Sequence, residues 1–532
     1  MQKRLVCLYT ILSIMSMIIF FRIYYISQNN SFATVSNKQS SYTLDVFDQR
    51  GYIYDCNLKP LVNIKDKIIA SVIPSTQTVS ALVDHIDLTQ KDELLSKIQE
   101  NKPFLIKVKD YNIYQEGIDI INIKERYQDN QIATHIIGYT DGSGSGVCGI
   151  EKSYDKFLKN NSNKIKIKYP TNALNNNYSQ ALPTIDYGDK DNKYGVVLTI
   201  DKKIQKITQR ASRSISKGAV VVMDAQNGDL KSVVSIPQYN PNKIYNYLDD
   251  PNSCLLNRAF CAYNVGSTYK LLVSCAALED NFEKFINFRS TCVGQKQISS
   301  NIFKCHFLPG HGTIDMKKAL EISCNPYFID LALNISPINI INLSKNIGFG
   351  SSDILAKDII TSKGSLPDKS NLITRSDIAN LGFGQGSLTA TPIQIAKMIA
   401  MIANDGYLVT PRLVKGLTDK TGSFIENKEK QNTQIKIIST RTARTIKNMM
   451  ISVVENGSGK KAKPKNAGAG GKTASAQTGQ YNKSTNKEIV HAWFAGFCPA
   501  DAPKYVIVVL AEGGESGSDI AAPVFKKIAD YL

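Results

Sequence analysis

The sequence predicts a membrane-anchored, multi-domain chain of mixed α/β and α+β character. Three observations carry that prediction: a long uncharged segment near the amino end, a length of 532 residues, and strand-like runs that alternate with helix-like ones through the second half. A chain of this length exceeds one ordinary hydrophobic core, so at least two domains plus appendages are expected. Hydrophobic residues make up 42% of it, a globular composition and not a disordered one. The formal charge of +18 would suit an anionic partner. The lysines, however, are spread among asparagines and isoleucines with no compact basic block, so the charge reads as solvated surface and no nucleic-acid binding is expected.

Residues 1–4 are a short tail, and the uncharged run from Leu5 to Phe21 continues past Arg22 into Ile23-Tyr24-Tyr25-Ile26. As a helix, residues 5–26 rise about 33 Å, enough for a hydrocarbon core of about 30 Å. A cleaved signal peptide is the competing reading. Against it, the run is longer than a signal core, and no small-x-small cleavage site follows before Phe32-Ala33-Thr34. Lys3 and Arg4 would hold the amino end in the cytoplasm, leaving a single-pass protein of the cell membrane with everything after the span outside.

Residues 27–190 mix strand-like runs, Tyr42 to Phe47 and Phe104 to Val108, with short helical stretches, and form a β-rich domain in this reading. Within it, 159–194 is crowded with Asn, Lys, Ser, Asp and Pro and reads as a polar excursion or linker. Residues 191–532 have the pattern of a compact α/β domain. Gly195 to Ile200 is a strand, Asp201 an N-cap, and Ile204 to Ile215 a helix. Ala219 to Met223 is a further strand, turned by Asp224 to Gly228. Ala492 to Phe497 and Tyr505 to Leu510 repeat the strand pattern before a helix over Pro523 to Leu532.

Ten cysteines and five histidines are irregularly spaced and fit no zinc pattern, so no metal and no other cofactor is expected. Most of the cysteines read as small buried apolar residues. Cys292 and Cys305, which flank a turn-like Gly294, are a candidate disulfide.

Chemistry is suggested by three short motifs in one order: Ser267-Thr268-Tyr269-Lys270, Ser323-Cys324-Asn325 and Lys472-Thr473-Ala474. They are the parts of a lysine-assisted acyl-serine site. Ser-x-x-Lys also begins at Ser153, Ser214, Ser458 and Ser484, so the spacing alone identifies nothing. Ser267 differs in preceding an apolar run, Leu271 to Leu278, which places it at the start of a buried helix with Lys270 one turn on. A lysine acts as a general base only when neutral, which requires burial and a second cation nearby, a role that Lys472 suits. Ser323 would relay a proton to the leaving amine, and Asn325 would hold both the lysine and the substrate amide. Lys472 and Thr473 lie in the small-residue run Gly470 to Ala476, where a substrate backbone can lie along an edge strand and present its carboxylate. The backbone N–H of Ser267 is one candidate for an oxyanion hole. The bland alternatives are capping serines, solvated lysines and a mobile loop over 456–471.

With further matches, the chain resembles the class B penicillin-binding proteins, membrane-anchored D,D-transpeptidases of peptidoglycan synthesis. These matches are Leu198-Thr199-Ile200-Asp201, Ser235-x-Pro237-x-Tyr239-Asn240-Pro241-Asn242, Asn257-Arg258-Ala259, Gly310-His311-Gly312, Gly384-Gln385-Gly386 with Thr391-Pro392-x-Gln394, and His491-Ala492-Trp493-Phe494. Arg50-Gly51-x-Ile53-x-Asp55, Arg126-Tyr127 and Gly149-x-Glu151-x-x-Tyr154 are similar to that family's pedestal. The resemblance implies a pedestal over 27–190 and, over 191–532, a transpeptidase domain with a central antiparallel sheet flanked by helices. It implies Ser267 as the acylated nucleophile, Lys270 as its base, and Ser323 with Asn325 as the second motif. Lys472 and Thr473 become the third motif, and Ser475 supplies the second oxyanion N–H. The chain departs from the family at Ala474, where glycine is usual and a methyl could crowd the substrate; Cys324 fills a variable position and reads as packing.

The implied activity is cross-linking of stem peptides through an acyl-serine, with β-lactams as inhibitors and with a separate membrane glycan polymerase and other wall-synthesis proteins as partners. A β-lactamase or β-lactam sensor shares the motifs but is disfavoured by the anchor and pedestal. A non-catalytic scaffold is disfavoured by the intact motifs, and a bifunctional polymerase by the lack of a glycosyltransferase signature in 27–190. A division-type or sporulation-type role is preferred over an elongation-type one.

Overall fold

The computed structural model describes residues 2–28, 41–170, 183–189, 191–368, 372, 374–426, 434–482 and 485–532. It divides into two compact units, one built from Met1–Arg50, Ile64–Arg126 and Ser162–Asn192, the other from Gly51–Asn63, Tyr127–Asn161 and Lys193–Leu532.

The smaller unit begins with helix α1 (Gln2–Gln28), whose 27 residues bury no side chain. At about 40 Å it is long and apolar enough to cross a membrane. Two three-stranded antiparallel sheets follow. One has β1 (Ser41–Gln49), β5 (Asn163–Pro170) and β6 (Thr184–Asp186) in that order; the other has β3 (Phe104–Lys107), β2 (Lys65–Val72) and β4 (Ile118–Glu125). Strand β2 is apolar on both sides. Ala70 and Val72 join Leu82, Phe104 and Ile106 in one cluster, while Ile69 joins Ile121, Ile123, Ile165, Ile167 and Tyr169 in another.

Strand β5 lies inside the 159–194 stretch expected to be a polar excursion. There Ile165, Ile167 and Tyr169 are buried while Lys164, Lys166 and Lys168 alternate with them, so a polar average conceals a half-buried strand of period two. The Tyr169 hydroxyl is tied to Ser71 Oγ at 2.6 Å. The remainder of that stretch from 171 to 182 lies outside the described residues.

The larger unit is organised on a five-stranded sheet, antiparallel throughout. Its strands are β7 (Gly218–Asp224), β8 (Leu230–Ile236), β9 (Gly470–Tyr481), β10 (Glu488–Cys498) and β11 (Tyr505–Ala511), in the order β8-β7-β11-β10-β9. The apolar runs of β7 and β11 follow from burial on both faces. Ala219, Val221 and Met223 enter one core with Val506, Val508 and Leu510, whereas Val220, Val222, Ile507 and Val509 enter the other. The first core is filled by α3 (Lys270–Asp280), α4 (Asn325–Leu333), α5 (Pro392–Ala403) and α6 (Thr440–Asn456). The second holds α2 (Lys202–Ala211) and α7 (Ala522–Ala529). Asp201 caps α2 by accepting from Lys203 N and Ile204 N.

Two segments that precede residue 191 fold with this unit. Asp55 accepts from the backbone N–H groups of Asn57, Lys59 and Lys202 at 2.8 to 3.1 Å. The Tyr127 hydroxyl donates to the fully buried Glu151 carboxylate at 3.0 Å. Asp55 thus ties its segment to the start of α2, and the Tyr127–Glu151 pair holds the second segment together.

Candidate active site

Ser267 does not open the long helix itself. It sits in a 3-10 turn, Gly266–Tyr269, and the α-helix begins at Lys270. Two glycines set that turn. Gly266 has φ +54°, and a Cβ there would stand 3.0 Å from the Ala476 Cβ on β9. Its N–H donates to the Gly384 carbonyl at 3.1 Å, and a Cβ on Gly384, at φ +80°, would fall 2.0 Å from the Gly266 oxygen. Only residues without a side chain fit this crossing of three segments. We expect Gly266→Ala to cost about 1–3 kcal/mol and to slow acylation at least tenfold, since the strained φ and the blocked approach both act on the turn that carries Ser267. Thermal melting and the β-lactam acylation rate would check it.

Lys270 is fully buried. Its Nζ donates to the Ser323 carbonyl at 2.8 Å and to Asn325 Oδ1 at 2.7 Å, and lies 3.3 Å from Ser323 Oγ. Ser323 can present that carbonyl because it adopts φ +56°, a conformation non-glycine residues seldom take. Asn325 is held in turn by its Nδ2, which donates to the Lys304 carbonyl at 3.2 Å. Burial pushes the Lys270 ammonium down to about 7, against the opposing pull of the Cys324 and Cys305 sulfurs. In its neutral form the amine keeps two N–H donors for the two carbonyl-type oxygens, which leaves its lone pair for a hydroxyl proton.

Lys472 stands on β9, the edge strand, also without exposure. Its Nζ donates to the Thr473 carbonyl at 3.0 Å, and its pKa is held well below the ordinary value, first by burial and then by the charge of Lys270. Burial, which the sequence reading named together with a second cation, is thus the principal cause for both lysines.

Thr473 Oγ1 lies 2.8 Å from Ser458 Oγ, a contact the sequence reading missed. Ser458, which begins one of the decoy tetrads, is placed by its backbone N–H on the Glu321 carbonyl at 2.8 Å, and the buried Glu321 carboxylate accepts from Ser452 Oγ at 2.6 Å. Ser458, inside the 456–471 stretch for which a mobile loop was the bland alternative, is therefore pinned to the residues just ahead of Ser323. The only sequence signal was the serine itself, two residues past the end of an amphipathic helix.

Ser475 is exposed, and its Oγ accepts from Gly517 N at 3.3 Å. Ala474 is 3% exposed and joins Ala476 and Trp493 in the core. Its methyl points inward, on the face of the strand opposite to that of Ser475. A cavity of about 750 Å³ opens alongside, lined among others by Asn264, Lys304, Asn325, Gln385, Gln477 and Glu488. That size suits a peptide or drug-sized ligand.

Cys292 and Cys305 both carry free thiols, so the candidate disulfide is not formed. Cys324 is buried, as a packing role requires. It also has neighbours that irregular spacing did not announce: Cys292, Cys305, His311 and Cys324 bring their ligand atoms within 4.8 Å of one another.

A half-buried serine beside an edge strand, followed by a lysine that two carbonyl-type oxygens position and that burial holds near neutrality, is the equipment of serine acyl transfer with a lysine base. Comparison with known sequences gives that class its family. Residues 218–530 match the model of the penicillin binding protein transpeptidase domain, and the chain belongs to that family. Stage V sporulation protein D of Bacillus subtilis is 27% identical over 448 residues, covering 81% of this chain and 67% of the relative. The peptidoglycan D,D-transpeptidase MrdA of Acinetobacter baumannii is 25% identical over 572 residues, covering 94% and 83%. Penicillin binding protein 3 of Mycobacterium tuberculosis, solved with aztreonam, shares the fold with a TM-score of 0.66 at 22% identity, covering 92% of this chain and 96% of that one.

Proposed function

We propose that the chain cross-links peptidoglycan stem peptides as a D,D-transpeptidase and is acylated by β-lactams at Ser267. The observation that carries this reading is the buried Lys270 amine, held by the Ser323 carbonyl and Asn325 Oδ1. Ser267 Oγ attacks the penultimate D-alanine carbonyl and gives its proton to Lys270. The oxyanion is met by the N–H groups of Ser267 and Ser475. The proton then passes through Ser323 to the departing D-alanine nitrogen as the amide C–N bond breaks and the ester stands on Ser267. An amine from a neighbouring strand attacks that ester, forms the new amide, and returns the proton to Ser267. Asn325 steadies the lysine and the substrate amide, while Lys472 and Thr473 receive the substrate's terminal carboxylate.

The relatives support this reading, and so does the aztreonam complex of the structural neighbour. Anchoring by α1 with the amino end in the cytoplasm, a pedestal over 27–190, and a partnership with a glycan polymerase complete the proposal. The test is incubation of the full-length chain in detergent with a fluorescent penicillin, together with a stem-peptide donor and amine acceptor. A covalent adduct that outlasts hours, and release of D-alanine only with donor present, is expected. An adduct hydrolysed within seconds would mark a β-lactamase instead, and no adduct at all a scaffold.

Because the Ala474 methyl is buried, Ala474→Gly should change the acylation rate less than about threefold while lowering stability by about 1 kcal/mol, through lost packing and greater chain entropy. Stopped-flow acylation and a denaturant titration would check both numbers.

A further inference from the structure

Cys292, Cys305, His311 and Cys324 are spaced Cys-x12-Cys-x5-His-x12-Cys, which matches no short metal-binding pattern. The fold gathers them from four places. Cys292 ends a strand, Arg289–Cys292, paired with Gly312–Asp315; Cys305 follows the hairpin Gln295–Ile298 with Asn301–Lys304; His311 directly precedes Gly312; and Cys324 is the N-cap of α4. All three sulfurs are buried and all three thiols free. Cys305 Sγ lies 3.6 Å from His311 Nδ1, and the four ligand atoms fall within 4.8 Å of one another. A tetrahedral zinc with Zn–S near 2.3 Å has S···S edges of about 3.8 Å, so an ion at the centre requires only a small contraction of these distances.

We propose that these four residues hold one zinc ion in a closed tetrahedral site. Three sulfurs and one imidazole select zinc over the hard cations, and four protein ligands leave no open position for catalysis. A disulfide would use two of the three sulfurs and strand the third, whereas one zinc uses all four ligands. The ion's place is structural. Cys324 stands between Ser323 and Asn325, the two residues whose oxygens hold Lys270, and the other three ligands lie on the arm 289–311. The metal therefore clamps that arm to the turn that positions the lysine.

The test is metal content, which does not depend on the transpeptidase reading. Full-length chain purified in detergent without chelator should carry about one zinc by mass spectrometry of the metals. Cys305→Ser and His311→Ala should each lower it at least fivefold, and Cys498→Ser, a buried cysteine outside the cluster, should leave it unchanged. Because a variant can misfold, the wild-type chain stripped by a strong chelator and reloaded with Co²⁺ supplies a second measurement. Tetrahedral cobalt with thiolate charge-transfer absorption is expected, with a rise in melting temperature on reloading. A metal-free preparation whose cobalt spectrum is octahedral would overturn the proposal. So would a Cys292–Cys305 disulfide in the freshly purified chain, and a stoichiometric metal other than zinc would overturn the choice of ion.

Discussion

Ser267→Ala abolishes covalent labelling by a fluorescent β-lactam, with residual signal below about 1% of wild type, and lowers D-alanine release by a factor on the order of 10⁴ or more. The size of the effect follows from the chemistry, because the other two hydroxyls of this turn are buried and engaged elsewhere, Thr268 Oγ1 with the Val265 carbonyl at 2.8 Å and Tyr269 with Ser344 Oγ at 2.7 Å. The fold should survive. Ser267 is half-buried, and the turn is set by Gly266 against Ala476 and by the Gly266 N–H on Gly384. A melting temperature within a few degrees of wild type would show that only the nucleophile is gone. In-gel fluorescence after denaturation reads the adduct directly, and equal labelling of the mutant would remove Ser267 from the mechanism.

The second large effect is on pH. With the Lys270 ammonium pushed down to about 7, the neutral base is the major form only above that value. Acylation should rise with pH through about 7 and level off, and at one unit below it should run roughly tenfold slower than the plateau. Lys270→Arg keeps a cation but never a neutral base, so it should lose at least 10³-fold in acylation at every pH. A rate flat from pH 5.5 to 9 would dismiss Lys270 as the base. Stability should move in the same direction. Between the folded value of about 7 and the unfolded value near 10.5, the unfolded chain binds more protons, so unfolding free energy rises with pH. Lys472, depressed in the same sense, adds to that slope. Lys270→Met should flatten it, as urea titrations at pH 7 and 9.5 would show.

The elements and site residues that were legible in the sequence are those whose cause is local. Asp201 reads as a cap because a side-chain oxygen before an amphipathic run has little else to do, and it caps α2. Ala219 to Met223 reads as a strand because five β-prone or small apolar residues in a row fit a sheet covered on both faces. The three ordered motifs were recognisable by their sequence, and the fold brings Lys270, Ser323 and Asn325 into contact. What escaped was non-local or masked by an average. Strand β5 hid its Ile-x-Ile-x-Tyr period behind three lysines. Ser458 gains its meaning from Thr473, which only the crossing of α6's end over β9 supplies. The Cys/His cluster requires two hairpins to close before any spacing makes sense. The direction of the Ala474 methyl was likewise out of reach, because it is a property of register, set by the pairing with Trp493.

The strand order has a consequence for how the protein comes into being. In β8-β7-β11-β10-β9, the last of the five strands in sequence is the one that joins the first pair to the hairpin of β9 and β10. During synthesis, β7 and β8 emerge well before β11 arrives, and their apolar faces must wait. Until Tyr505–Ala511 is seated, the hairpin of β9 and β10 carries Lys472 on a piece not yet joined to that pair. Such late, long-range pairing makes for slow folding and a lengthy exposure to aggregation. The enzyme is thus silent until Tyr505–Ala511 is seated, and its yield in a cell rests on whatever shields β7 in the interval.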